Sequence, residues 1–173
     1  MRVRTAALDD AQAIAAMYNV EVRETTATFD LEPRSVEAQR RWLQERSGAH
    51  VVLVAESDDG EVIGFASLSP YKERPAYSTT VESSVYVHRE TRGQGVGREL
   101  MAEVLETARS HGFHSIIARI ADSQQPSLAL HNSLGFELIG VEREVGRKFG
   151  RWLDVSVMQV MFCLLYTSDA ADE

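Results

Sequence analysis

Apolar residues along this chain recur with two periods, and each change of period marks an element. A short extended run around Val3 precedes a helical repeat of Ile14, Met17, Tyr18 and Val22, with Asp9 in position to cap its start. The polar segment 24–33, with Thr25, Thr26, Thr28 and Phe29, breaks the repeat and predicts a loop. Ser35 predicts the cap of a second helix reaching Arg46, with Val36, Gln39, Trp42 and Leu43 along one side. Three strand-like runs follow at 51–56, 62–69 and 79–88. Asp58-Asp59-Gly60 between the first two favours a hairpin turn.

Residues 95–111 return to the helical period. Leu100, Met101, Val104, Leu105 and Ala108 form one stripe, Arg98, Glu99, Glu103, Glu106 and Arg109 face away, and Gly112 suits the left-handed residue that ends a helix. A strand over 115–121, a short helix over 126–134 and strands near 136–142 and 153–162 complete the pattern. The helix at 95–111 is a crossover, so strands 79–88 and 115–121 are predicted to be parallel within a largely antiparallel sheet. The expected architecture is a single α+β domain over residues 1–162. From Cys163 to Glu173 the packing pattern stops, and that stretch is expected to be a non-native or disordered tail.

Composition narrows the function classes. A chain of 173 residues fits one domain with a real core. Its formal net charge of −8 argues against non-specific nucleic-acid binding, because the phosphates would repel it. The start MRVRTAALDD lacks the apolar core of a signal peptide, and no apolar run approaches the roughly 18 residues of a membrane span. A soluble, cytoplasmic protein without membrane partners is expected. Cys163 is the single cysteine, so neither a disulfide framework nor a Cys/His metal site is expected, and Cys163 reads as a small core residue rather than a nucleophile.

The strongest local signal is Arg92-Gly93-Gln94-Gly95-Val96-Gly97-Arg98, between a predicted strand and an amphipathic helix. Glycines let backbone approach an anion closely, and the free N–H groups of a helix start point at it, so the segment can cradle a diphosphate. A tight turn that needs glycine for geometry alone is the competing explanation. A Walker loop would end in Gly-Lys-Ser/Thr, and a Rossmann fingerprint would need glycine where Arg98 stands; neither fits.

The pattern [Arg/Gln]-x-x-Gly-x-[Gly/Ala], matched by Arg92, Gly95 and Gly97, resembles that of the GNAT acetyltransferases, and the resemblance extends from Val3 to about Met161. Within that family the chain is similar to the phosphinothricin and methionine sulfoximine/sulfone acetyltransferase group. The blocks that carry this are Thr80-Val81-Glu82-Ser83-Ser84-Val85-Tyr86-Val87, then Leu130-His131-Asn132-Ser133-Leu134-Gly135-Phe136, then Lys148-Phe149-Gly150-Arg151-Trp152-Leu153-Asp154. The resemblance implies a GNAT fold whose sheet splays at the acetyl-CoA site, and transfer of acetyl from acetyl-CoA to the amino group of a small amino-acid-like substrate. The alternatives are acetyl transfer to protein N-termini or polyamines, and a non-catalytic acyl-CoA-binding module.

The resemblance also implies roles for residues. Backbone groups of Val85, Tyr86 and Val87 would bind the pantetheine arm, and Arg92, Gly93, Gln94, Gly95, Val96, Gly97 and Arg98 the pyrophosphate. Gln124 and Ser127 lie where the family holds the cofactor from an Asn-x-[Ala/Pro]-Ser run; here the run is Gln124-Gln125-Pro126-Ser127, which puts the amide one methylene further out. Glu82 matches the family's base, and a mid-strand carboxylate is unusual because burying charge is costly. His131 takes the position of a proton donor or acceptor, which its ordinary pKa near 6.5 permits. Phe29, Tyr71, Lys72, Arg74 and Tyr77, together with Glu82, are expected to meet the acceptor. His50, His88, His111 and His114 match no family role, the block 148–154 is expected to be structural or near a homodimer interface, and Trp152 reads as a packing residue.

Overall fold

The structure is a computed structural model, and it describes residues 1–46 and 48–162. The expectation for Cys163 to Glu173 lies outside the described residues. In chain order the elements are β1 (Arg2–Thr5), α1 (Ala11–Glu24), α2 (Val36–Gln44), β2 (Val52–Glu56), β3 (Val62–Pro70), β4 (Thr80–Val87), α3 (Val96–Ser110), β5 (Ser115–Ala121), α4 (Gln125–Ser133), β6 (Glu137–Lys148) and β7 (Arg151–Met161). The strands form one sheet in the order β1-β2-β3-β4-β5-β7-β6. Every neighbouring pair is antiparallel except β4 and β5, which α3 connects as a parallel crossover.

Two apolar layers cover the sheet. On one face the stripe of α3, with Leu100, Met101, Val104 and Ala108 fully buried, packs on Leu68, Val81 and Ile116. Each large side chain removed from water there contributes about 1.5–3 kcal/mol. On the other face Ile14, Met17, Tyr18 and Val22 of α1 and Leu43 of α2 pack on Val54 and Phe65. The two periods read from the sequence thus bury the stripes they mark.

Some boundaries differ from expectation. Asp9 does not cap α1: it is exposed in a 3-10 turn, Leu8–Asp10, and Asp10 precedes the helix. The Asp10 carboxylate instead accepts from the Ala7 amide at 2.7 Å and from Arg4, which tie the turn to β1. Ser35 does cap α2, accepting from the Ala38 amide at 3.0 Å, but the helix ends at Gln44. The strand expected near 136–142 continues to Lys148. Its register with β7 shifts between Glu142 and Gly146, where Glu144 has φ +53°, and that bulge hides the strand from an alternation pattern. The β6–β7 turn is then only Phe149-Gly150, both at positive φ.

Candidate active site

The site begins where two parallel strands stop pairing. β4 and β5 are bonded from Thr80↔Ser115 to Ser83↔Ala118, and no further. Beyond that point β4 stays paired with β3 as far as Val87↔Gly64, while β5 stays with β7 as far as Ala121↔Val155. The sheet forks, and a cavity of about 610 Å³ occupies the fork. On the open side of β4, peptide groups of Val85, Tyr86 and Val87 lack the strand partner that β5 supplied earlier, so an extended ligand can take its place. The side chains serve the fold instead: Tyr86 stacks on Phe65 with ring centroids 5.2 Å apart and meets Tyr18 edge-on.

The glycine loop closes the far end of the cavity. Gly93 and Gly95 have φ +75° and +85°, values that a side chain disfavours, and Gly95 is the N-cap of α3. Gly97 is needed for a different reason, since a Cβ there would lie 3.2 Å from Leu130 Cδ2 and 3.5 Å from Val87 Cγ2, where α3 meets α4 and β4. The first N–H groups of α3, at Val96, Gly97 and Arg98, precede the helical bond from Glu99 N to Gly95 O, and an anion can accept from them. This cradle and the unpaired β4 edge fit a diphosphate joined to an extended arm. Arg98 donates to Ser133 Oγ at 2.7 Å and meets no carboxylate in the described residues, so its charge remains available there. Arg92 does not stand free: its guanidinium donates to Glu21 Oε1 at 2.6 Å. Gln94 lies off the cavity wall, its side chain bonded to the Glu90 carbonyl. Gln124 lines the cavity as N-cap residue of α4, with no capping bond from its side chain.

Two titratable side chains, Glu82 and His131, share the cavity wall. Glu82 sits at the fork, half-buried, and burial and the nearby Glu142 raise its pKa while Arg119 opposes them. His131 on α4 is 3% exposed, and its Nδ1 lies 2.7 Å from the Ser127 carbonyl. A carbonyl oxygen only accepts, so Nδ1 carries the proton and Nε2 is the acceptor. Burial lowers the imidazole pKa, and the bond to Ser127 only partly offsets that, so the ring is held neutral.

Phe29 lines the cavity, its ring lying against Gly146 of β6, where a Cβ would collide with it. Lys148, buried on the same strand, donates to the Thr28 carbonyl at 2.8 Å and fixes that loop from below. Tyr71, Lys72, Arg74 and Tyr77 are not brought to the cavity wall. They lie in the connection before β4, where the Lys72 ammonium stands 5.0 and 5.2 Å from the Tyr71 and Tyr77 rings. Of the unassigned histidines, His88, His111 and His114 are exposed and His50 packs on Phe113. Sequence reading missed Glu21, Arg119 and Glu142, and placed Lys148 only within a block expected to be structural or near a homodimer interface, because each gains its role from a partner far along the chain. Among the described residues no helix is long and apolar enough to cross a membrane, and no cluster of His, Cys, Asp and Glu is arranged to hold a metal ion.

Residues 3–157 match the family model described as an acetyltransferase (GNAT) domain. An L-methionine sulfoximine/L-methionine sulfone acetyltransferase of Pseudomonas aeruginosa is 38% identical over 159 residues, 91% of this chain and 92% of that protein. Among solved structures, a GNAT superfamily phosphinothricin acetyltransferase from Sinorhizobium meliloti in complex with acetyl-CoA is 35% identical, with a TM-score of 0.90 over 93% of this chain and 88% of its own. A ribosomal-protein-alanine N-acetyltransferase from Brucella melitensis is 40% identical, with a TM-score of 0.91 over 94% of this chain and 100% of its own.

Proposed function

The chain belongs to the GNAT acetyltransferase family and is an acetyl-CoA-dependent N-acetyltransferase, and from that premise we propose its acceptor and the residues that act on it. The acceptor is the α-amino group of a small amino-acid analogue of the methionine sulfoximine, methionine sulfone or phosphinothricin kind. The observation that carries this reading is Glu82 at the fork of the sheet, in one cavity with the glycine loop and Phe29. The Phe29 loop, held by Lys148 across the acceptor end, favours a compact substrate over a peptide in an open groove.

When bound, acetyl-CoA supplies a thioester carbonyl for attack by a neutral amine, with the CoA thiol leaving. The N–H groups at the start of α3, with Arg98, hold its pyrophosphate, and the free edge of β4 holds the arm beside Glu82. The Glu82 carboxylate takes the ammonium proton at its oxygens, directly or through one water. His131 begins neutral, so Nε2 takes the proton that the attacking nitrogen sheds and returns it to the departing CoA sulfur. The described surface also supports self-association through β6 and β7, which expose Leu138, Val141, Val145 and Trp152.

Release of free thiol from acetyl-CoA, followed across a panel of amines, tests the reading. Methionine sulfone, methionine sulfoximine and phosphinothricin should turn over faster than polyamines or Ala-initiated peptides. Glu82→Gln should lower kcat by roughly 10²–10⁴ with acetyl-CoA affinity unchanged. Full kcat with a raised KM for the amine alone would make Glu82 an ammonium ligand instead of a base.

A further inference from the structure

The last bonded pair of β4 and β5 is Ser83↔Ala118, so Arg119 is the first residue of β5 past the fork. Its strand neighbours Ala118 and Ile120 are buried in the layer under α3, which sends Arg119 to the opposite face, the face of Glu82. There its Nε lies 3.9 Å from Glu82 Oε1, and its Nη2 lies 2.5 Å from Glu142 Oε1. Glu142 reaches Arg119 from β6, across the intervening β7, at the position where the β6 bulge begins. The contact with Glu142 is ionic rather than an aligned hydrogen bond, since Oε1 has no hydrogen-bond partner. All three side chains keep between about a third and two-fifths of their surface exposed, with values of 35%, 36% and 41% for Glu82, Arg119 and Glu142.

One guanidinium therefore stands between two carboxylates and is nearer the one that has no place in the reaction. We propose that Arg119 and Glu142 are positioning residues for Glu82, acting against each other: Arg119 holds the Glu82 carboxylate charged and directed into the fork, and Glu142 draws the guanidinium away from it. The inference rests on Glu82 being the base. Arg119 lowers the cost of an anion at the fork, whereas Glu142 adds repulsion and competes for the same cation. Arg119 thus favours the anion and Glu142 favours its taking up a proton, two opposed influences on one carboxylate. The other groups around Glu82 do not duplicate this. Its register partners are Ser69 on β3 and Ile117 on β5, neither of which titrates; elsewhere on the cavity wall Glu21 is committed to Arg92, Arg98 donates to Ser133, and the His131 ring is bonded to the Ser127 carbonyl.

The two neighbours predict shifts of opposite sign. A base must be deprotonated to work, so the acidic limb of kcat/KM follows its ionisation. Arg119→Gln removes the attraction and should move that limb to higher pH by about 1, the lower end of the effect of a nearby opposite charge. Glu142→Gln removes the repulsion and releases Arg119 to Glu82, so the limb should move to lower pH by a smaller amount. Arg119→Lys should restore most of the parent profile. Profiles are taken with methionine sulfone and with a carboxylate-free amine, and Tm is recorded for each variant. A purely structural role would lower Tm and kcat without opposite displacements of the limb. If Arg119 binds the substrate carboxylate instead, Arg119→Gln raises KM for methionine sulfone alone and leaves the limb in place. Superimposed limbs in both variants, or displacement in one direction, overturn the proposal. The premise is tested separately: if the limb survives in Glu82→Gln, the base assignment fails whatever Arg119 and Glu142 do.

Discussion

A neutral imidazole buried beside a cleft has a cost that depends on pH. His131 is nearly inaccessible and its pKa is lowered by burial, whereas in the unfolded chain it titrates near the ordinary value of about 6.5. Above that value both states are neutral and the residue contributes its full stability. As pH falls below it, the unfolded chain takes up a proton that the folded chain refuses, and stability declines until the folded pKa is also passed. His131→Leu should remove that part of the acid-side loss of Tm and should lower kcat by roughly 10²–10⁴. Equal Tm slopes between pH 7 and 5 in parent and variant would show that the ring is not held neutral. The sequence marks His131 through the block around it, but not its tautomer, which depends on the Ser127 carbonyl one helical turn earlier. Arg92 shows the opposite: its spacing points to pyrophosphate, yet its guanidinium is bound to Glu21, 71 positions earlier in the chain.

Elements with a strong period were legible and elements with a local exception were not. β5 is bounded as the alternation indicates, and α3 buries the stripe that defines it, because one face of each is fully apolar. β6 is different: it lies at the sheet edge, both its faces are largely exposed, and a bulge interrupts its phase past Glu142, so only its first half reads as a strand and the rest reads as a loop. That strand supplies Glu142, Gly146 and Lys148, which meet Arg119, Phe29 and Thr28, and these supports of the cavity wall were correspondingly its least visible part. The loop into α3 was the most visible because its glycines have separate physical reasons. Replacing Gly95 forces a side chain into φ +85°, at a cost of about 1–2 kcal/mol, and so tests the fold more than the cofactor. Gly97→Val is the cleaner probe. Its added methyls press on Leu130 and Val87, where the start of α3 faces the cavity, and should weaken acetyl-CoA at least about tenfold by calorimetry in a folded protein. Unchanged affinity would remove the pyrophosphate from this loop.

At the scale of the molecule, the unequal treatment of the two sheet ends bears on assembly. β1, at one end, is a four-residue strand whose edge is flanked by Arg2 and Arg4, both paired with Glu56. β6, at the other, is twelve residues long, with Leu138, Ile139, Val141 and Val145 exposed, and Trp152 and Met161 add to the same hairpin. A long apolar edge left in water invites pairing with another chain, and short or charged edges are the usual protection. β1 has both; β6 carries the exposed charges Glu137, Arg143, Glu144 and Arg147 and a bulge, yet it is long and keeps its apolar residues in water. A twofold axis beside β6 would let two copies cover the same patch, since a closed dimer uses one self-complementary surface. A stable interface of this kind buries about 1,200–2,000 Å² in total, which a hairpin of this length can supply with its neighbours. Sedimentation velocity should therefore give a species of twice 19.3 kDa across the micromolar range. Val145→Arg places a charge among these exposed apolar residues, on the bulged stretch of β6 and away from the cavity wall, and should shift the population to the single-chain mass. The folded monomer should keep its acetyl-CoA affinity, because every group in the cradle belongs to β4, the glycine loop, α3 and α4 of the same chain. A parent protein that sediments as one chain at all these concentrations would refute dimerisation, and a Val145→Arg variant that remains dimeric would move the interface off β6.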